Sequence, residues 1–396
     1  MEVTQVNSAF PPSPPAEQDT HCVYDDKRIP RTFELPLELP STPVDPNEAL
    51  VEELKGRVMR IPNMLNYMEN WPVRELNQYY HRMQTLFNEA LDRVIPDPRR
   101  RQKFKDCDFA HFCALWWPHG EWEDFYSASF FALWIFVWDD TIDANDQELS
   151  EDFQKACRFR SRTLDYCRYY LGLSKKGERE PEFPSLACGL FKEFAGRIVE
   201  KFQKHRVQRI YDEIVRYIRE CENEQAERLA GRIPNLDEYI DNRMGTAAVL
   251  ILCGINELFI EQALPDWMMD SPEMDVIWRE TSLAIIIIND VLSLKKEMAT
   301  GCLLSLAPVL YRQGIEWDDI VPELMEELMY VCRRFDEAAA TLEAAGADDP
   351  RLLKDVRTYL DTCRTNSTGT YIYTIESKRY KIAPLVQEDL SVTIVL

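Results

Sequence analysis

Residues 282–301 read SLAIIIINDVLSLKKEMATG, and within them Asn289, Ser293 and Glu297 recur every four residues. Four residues is a little over one helical turn, so the three polar side chains form one stripe on an α-helix. Ile285 to Ile288, Val291, Leu292 and Leu294 make most of the remaining surface apolar. The pattern predicts a buried helix whose polar groups must find partners. An amide, a hydroxyl and a carboxylate are all oxygen donors and can chelate a hard cation together; the plainer alternative is a polar seam between two core helices. Upstream, Ser271-Pro272 supplies an N-cap and a first-turn proline, and downstream Gly301 suits a helix C-terminus. The spacing therefore predicts a helix over 272–298.

The flanking sequence reads in the same way. From about residue 45 to 380, apolar residues recur at three- and four-residue spacing, and no segment reads as a strand. Asn235, with Glu238 three residues on, is a capping-box signature and predicts a second long helix over about 236–260. No self-similar unit repeats along the chain, which argues against a solenoid. The expected fold class is all-α, a single helical bundle around a deep apolar cavity. Residues 1–44 carry PPSPP and Leu-Pro repeats and read as a mobile arm. The folded body is expected over 45–385, opening where Asp45, Pro46 and Glu48 supply an N-cap, a first-turn proline and a capping-box partner, with 386–396 as a tail.

Composition narrows the function classes. The 396 residues are 45% hydrophobic and carry a formal charge of −22. Nucleic acid is an unsuitable main partner for so acidic a chain, because phosphate backbones require a basic face. A small anionic substrate would need bound cations or a few focused Arg and Lys residues. Eleven cysteines, without a CxxC pair, read as reduced core residues rather than a zinc or disulfide framework. The first twenty residues lack a basic start and an apolar run, and the most apolar stretches are too short or too interrupted to span a bilayer. The expectation is a cytoplasmic protein without a membrane span.

Two further groups of residues carry chemistry. FYSASFFALWIFVWDDTIDAND, residues 125–146, ends an aromatic helix with Asp139, Asp140 and Asp143. Three carboxylates this close repel one another, oppose the helix dipole and point to a divalent cation such as Mg2+. The plain alternative is a solvated helix end. Of the Asp-Asp pairs beginning at 25, 139, 318 and 348, only the pair at 139 has a further Asp three residues after its second member. In YIYTIESKRYK, residues 371–381, Arg379 and Tyr380 follow another apolar helix and could donate several hydrogen bonds to a diphosphate. Alone, such a pair is usually an ordinary surface feature.

Taken in order, Asp139-Asp-Thr-Ile-Asp143, Asn289-Asp-Val-Leu-Ser-Leu-Lys-Lys-Glu297 and Arg379-Tyr380 resemble the microbial class I terpene synthases, above all the fungal monofunctional sesquiterpene cyclases. The likeness covers about residues 45–385. It implies three Mg2+ ions, held by Asp139 with support from Asp140 and Asp143 and by Asn289, Ser293 and Glu297. It implies a diphosphate bound by Lys296, Arg379, Tyr380 and Arg243, the last lying 289 − 243 = 46 residues before the motif Asn, where the family keeps a diphosphate-sensing Arg. Asp290 is a motif member without an implied ligand role. The catalytic set implied is Asp139, Arg243, Asn289, Ser293, Glu297, Arg379 and Tyr380.

The implied activity is that of a carbon–oxygen lyase. It would ionise a linear prenyl diphosphate, with farnesyl diphosphate favoured and geranylgeranyl diphosphate the alternative, and cyclise the carbocation to a terpene hydrocarbon or alcohol. A monomer or homodimer is expected. Two departures bear on the pocket: Tyr373 stands where many relatives carry Trp, and Met244-Gly245-Thr246-Ala247 lacks an acidic residue found in some. Of Phe131, Trp134, Phe136 and Trp138, only some can face a cavity. A chain-elongating prenyl transferase would be expected to have a second aspartate-rich motif, a proton-initiated cyclase a DxDD sequence, and a di-iron bundle Glu-x-x-His pairs; a silent helical scaffold is the non-enzymatic alternative.

Overall fold

The computed structural model describes residues 46–143, 148–299 and 301–396. The proline-rich segment 1–44 and the expected cap at Asp45 lie outside the described residues. Helix α1 (Pro46–Leu54) leads into the short strand β1 (Val58–Ile61), and α2 (Tyr80–Val94), α3 (Pro98–Cys107) and α4 (Phe109–Trp116) follow. Next come the aromatic helix α5 (Trp122–Asp143), the single turn α6 (Glu148–Glu151), α7 (Phe153–Tyr170), α8 (Phe191–Lys201) and α9 (Lys204–Leu229). The second half holds α10 (Leu236–Thr246), α11 (Val249–Ile255), the single turn α12 (Asp266–Met269), α13 (Pro272–Met298), α14 (Leu306–Arg312), α15 (Trp317–Ala345), α16 (Pro350–Glu376) and a final strand β2 (Val392–Val395).

Local signals set many of these boundaries. Asp97 accepts from the Arg100 backbone amide at 2.6 Å and is followed by Pro98 at the first position of α3. Asp108, at φ 49, ends α3 and caps α4 with its side chain. Asn235 and Glu238 form the expected capping box of α10, and Ser271 caps α13 through the Met274 amide at 3.2 Å.

Helix α13 matches its expected span and is the central rod, packed against α11, α15 and α16 with Leu283 to Ile288 all buried. Each such side chain contributes about 1.5–3 kcal/mol by leaving water. On the other side α5 packs on α8 and α4, and α16 packs on α4. The ten cysteines among the described residues are free and mostly buried, as expected for reduced core residues. Among the described residues no helix is long and apolar enough to cross a membrane.

Two local expectations are corrected. The helix expected over 236–260 is broken: α10 ends at Thr246, Ala248 adopts φ 58 and α11 starts at Val249. The end of α10 at Met244 and Gly245 and the whole of α11 are buried, so the apolar residues run through the break without marking it. The expectation of no strand also fails, because β1 and β2 pair antiparallel with Val58 opposite Val395 and Ile61 opposite Val392. Four-residue strands are too short to show a clear alternation. The ribbon fixes the C-terminal residues beside α1, and Lys295 on α13 donates to the Val395 carbonyl at 2.8 Å.

Candidate active site

A cavity of about 1140 Å³ opens between α5, α9, α10, α13 and α16. Its α13 wall carries Asn289, Lys296 and Glu297. Beside Asn289, the buried Asp290 carboxylate accepts from Arg243 Nε at 3.1 Å, from the Leu306 amide at 3.2 Å and from the Tyr239 hydroxyl. Burial pushes this carboxyl above its usual range, and Arg243 opposes the shift. So fixed, Arg243 turns its Nη2 to Asn289 Oδ1 at 2.8 Å. Ser293 donates to Glu297 Oε1 at 2.6 Å, and burial raises the Glu297 carboxyl against the pull of Lys296.

On the α5 side Asp139 reaches the cavity and accepts from the Tyr217 hydroxyl at 3.3 Å. Burial raises its carboxyl, Asp140 adds to the rise, and Arg379 opposes it. Asp140 reaches the rim but is tied to Arg100 of α3, with Nε at 2.7 Å and Nη2 at 2.6 Å from its Oδ2. Asp143 ends α5, and its side chain lies outside the described residues. The two aspartates thus take different partners: both line the cavity, Asp139 accepting from Tyr217 of α9 and Asp140 pairing with Arg100 of α3.

Arg379 and Tyr380 close the cavity from the segment after α16. The guanidinium of Arg379 lies over Phe136 at 5.4 Å and Phe109 at 5.5 Å, and the Tyr380 hydroxyl accepts from Asn289 Nδ2 at 3.4 Å. Burial lowers the Lys296 ammonium below its usual range, and Arg379 lowers it further. Among the described residues neither Lys296 nor Arg379 has a carboxylate at ion-pair distance. The cavity therefore gathers the cations Lys296 and Arg379, suited to an anion, and the half-buried oxygen donors Asp139, Asn289 and Glu297, suited to a hard divalent cation. Among the described residues no three His, Cys, Asp or Glu side chains converge as a ready cluster. The donor set mixes a carboxylate, an amide and a hydroxyl across α5 and α13, which fits Mg2+.

Three features escape the sequence reading in whole or in part. Glu224 on α9 lines the cavity, and burial pushes its carboxyl up to about 7 against Arg243, with Asp139 adding to the rise. Tyr217, Cys221, Glu224 and Arg228 all line it at spacings of four, three and four, one face of α9. That stripe is the signal that could have found Glu224. Arg100, the partner of Asp140, has no signal in sequence. The aromatic wall is the third and escapes in part: Phe112 and Trp116 line the cavity unforeseen, beside Phe136 and Tyr373, whereas Phe131 and Trp134 pack on Phe191 and Phe194 of α8. Trp138 faces α7, donating to Thr163 Oγ1 at 3.2 Å. Tyr373 donates to the Cys107 carbonyl at 2.7 Å, which holds its ring against Phe112 at 5.3 Å.

A mostly helical bundle with a cavity lined by polar donors and aromatic rings is the layout of a class I terpene synthase. The chain belongs to terpene synthase family 2: residues 131–329, half of its length, match the family model described as terpene synthase family 2, C-terminal metal binding. It is 29% identical to the sesquiterpene cyclase hepA of Aspergillus oryzae over 88% of this chain and 96% of that protein. It is 25% identical to the terpene cyclase braA of Annulohypoxylon truncatum, covering 86% and 90%. Among solved structures, the linalool/nerolidol synthase of Streptomyces clavuligerus in complex with 2-fluorogeranyl diphosphate superposes with a TM-score of 0.65 at 18% identity, covering 78% of this chain and 98% of that one. A cucumene synthase variant gives a TM-score of 0.66 at 17% identity, covering 78% and 99%. The fold is shared with these structures, and the enzyme class is that of a terpene synthase.

Proposed function

We propose that this chain ionises farnesyl diphosphate in a Mg2+-dependent reaction and cyclises the carbocation to a sesquiterpene hydrocarbon or alcohol, releasing diphosphate. The observation that carries this reading is one cavity lined both by Asp139, Arg243, Asn289, Lys296, Glu297, Arg379 and Tyr380 and by the aromatic rings of Phe112, Trp116 and Phe136. Likeness to the sesquiterpene cyclase of A. oryzae over most of both chains favours a fifteen-carbon substrate.

Asp139, Asn289, Ser293 and Glu297 would hold the metal, with three ions expected from the family likeness. Bound Mg2+ supplies Lewis-acid neutralisation of the charge that develops on the leaving diphosphate. Lys296, Arg379 and Tyr380 donate hydrogen bonds and charge to diphosphate oxygens, and Arg243 offers further donors once it turns from Asn289 Oδ1. Asp290 is a positioning residue that aims Arg243. The buried apolar wall keeps water from the cation. Each aromatic face turned to the cation stabilises it by about 0.5–2 kcal/mol.

The cavity volume of about 1140 Å³ supports a second reading. It exceeds the roughly 300–1,000 Å³ of ordinary small-molecule pockets, so geranylgeranyl diphosphate would also fit. Incubation with geranyl, farnesyl and geranylgeranyl diphosphates, with Mg2+ or excess chelator, then gas chromatography and mass spectrometry of an organic extract, tests both. A cyclic fifteen-carbon product formed only with Mg2+ is expected. Cyclic twenty-carbon products would establish the second reading. Longer linear diphosphates, or no turnover of any substrate, would overturn cyclisation.

A further inference from the structure

Helix α3 lies outside the aspartate-rich, Asn-Ser-Glu and Arg-Tyr segments, yet it is joined to two of them. Arg100 near its start holds Asp140 at the end of α5, at 2.7 Å. The Cys107 carbonyl at its end accepts from Tyr373 at 2.7 Å and from Ser377 Oγ at 3.1 Å, just before Arg379. Residues 100, 103 and 107 are spaced i, i+3, i+7 and share one helix face. Arg100, through its side chain, and Cys107, through its backbone carbonyl, are both fixed to the site, and Lys103 lies between them on that face. The cavity wall bears this out, since Lys103 lines it together with Lys296, Arg379 and Tyr380.

Of the other basic side chains on α3, Arg99 is exposed and does not line the cavity, and the remaining three are paired. Arg100 pairs with Asp140, and Arg101 and Lys105 pair with Asp92 at 3.2 and 2.8 Å. Among the described residues Lys103 pairs with no carboxylate. Lys103 is exposed to solvent and lines the cavity with Lys296 and Arg379, so it adds a third positive charge whose repulsion a bound anion relieves. We propose that Lys103 is a further cationic ligand of the substrate's diphosphate group, supplied from α3. The proposal rests on the diphosphate reading of the cavity.

Calorimetric titration of the full chain with inorganic diphosphate in saturating Mg2+ tests it. Lys103→Gln should weaken binding about tenfold, Lys103→Arg should restore most of it, and Lys105→Gln should bind like the unmodified protein. Wild-type affinity in Lys103→Gln, alongside a loss in Arg379→Gln, would overturn the role of Lys103 while leaving the diphosphate site standing. A loss that vanishes at about 0.5 M salt would reduce Lys103 to long-range attraction and overturn direct ligation. If the unmodified protein binds no diphosphate with Mg2+, the reading of the cavity falls, and the role of Lys103 with it.

Discussion

Asp290 and Glu297 carry the same functional group on the same helix, but their neighbours give them different tasks. Asp290 receives Arg243, Tyr239 and the Leu306 amide, a structural set that leaves it little capacity for a metal. Glu297 receives Ser293 and lines the cavity. Glu297→Gln keeps the shape and removes the charge, so turnover should be abolished while far-ultraviolet circular dichroism stays unchanged. Retained turnover would remove Glu297 from the metal set. Asp290→Asn should instead cost stability, roughly 2–4 kcal/mol by denaturant unfolding, because Arg243 loses its buried counter-charge. Asn289, Ser293 and Glu297 were legible in sequence because regular spacing on an apolar helix exposes polar residues that need a purpose. Glu224 was not, since Glu222, Asn223 and Gln225 around it read as a solvated face. Only the packing of α9 under α10 turns that carboxylate inward.

At the scale of elements, helix positions follow from close contacts that composition does not record. Gly369 on α16 lies against α4, where an added Cβ would meet the Leu115 carbonyl oxygen at 2.9 Å. Backbone faces backbone there, so neither side can yield by rotating a side chain. Gly369→Ala should destabilise by about 1–3 kcal/mol, read as a lower thermal midpoint. Gly196 on α8 has open space around the same position, and Gly196→Ala should stabilise by about 0.5–1 kcal/mol. An equal response at both sites would show that helix propensity, not the α4 contact, governs Gly369. Capping residues made the starts of α10 and α13 legible, whereas the break at Ala248 was hidden by apolar residues on both sides of it. The β1–β2 ribbon was hidden for another reason: pairing between residues 58–61 and 392–395 is a long-range choice that four residues cannot announce.

For the whole molecule, one cavity concentrates carboxyl groups in a chain of formal charge −22. Burial raises Asp139, Glu224, Asp290 and Glu297 above their usual ranges, Glu224 to about 7. A carboxyl whose folded pKa exceeds its unfolded value of roughly 4 binds more protons in the native state between the two, so stability falls as pH rises through that window. For Glu224 the contribution is fully present below roughly pH 4 and is lost as pH rises through about 7. Chelator-treated protein should therefore melt higher at about pH 6 than at about pH 8. Binding of Mg2+ with diphosphate requires ionised carboxylates, so the rise in melting temperature that the two ligands produce together should be larger at the higher pH. General repulsion among the surplus acidic groups also weakens the fold at high pH, and Glu224→Gln separates the two causes. It should flatten the metal-free dependence around neutrality because it removes a carboxyl raised to about 7, while surface repulsion is scarcely changed. An unaltered slope in Glu224→Gln would mean that Glu224 ionises as an ordinary carboxylate, and the pH response would then belong to the other raised carboxyls, Asp139, Asp290 and Glu297, or to the charge of the whole chain.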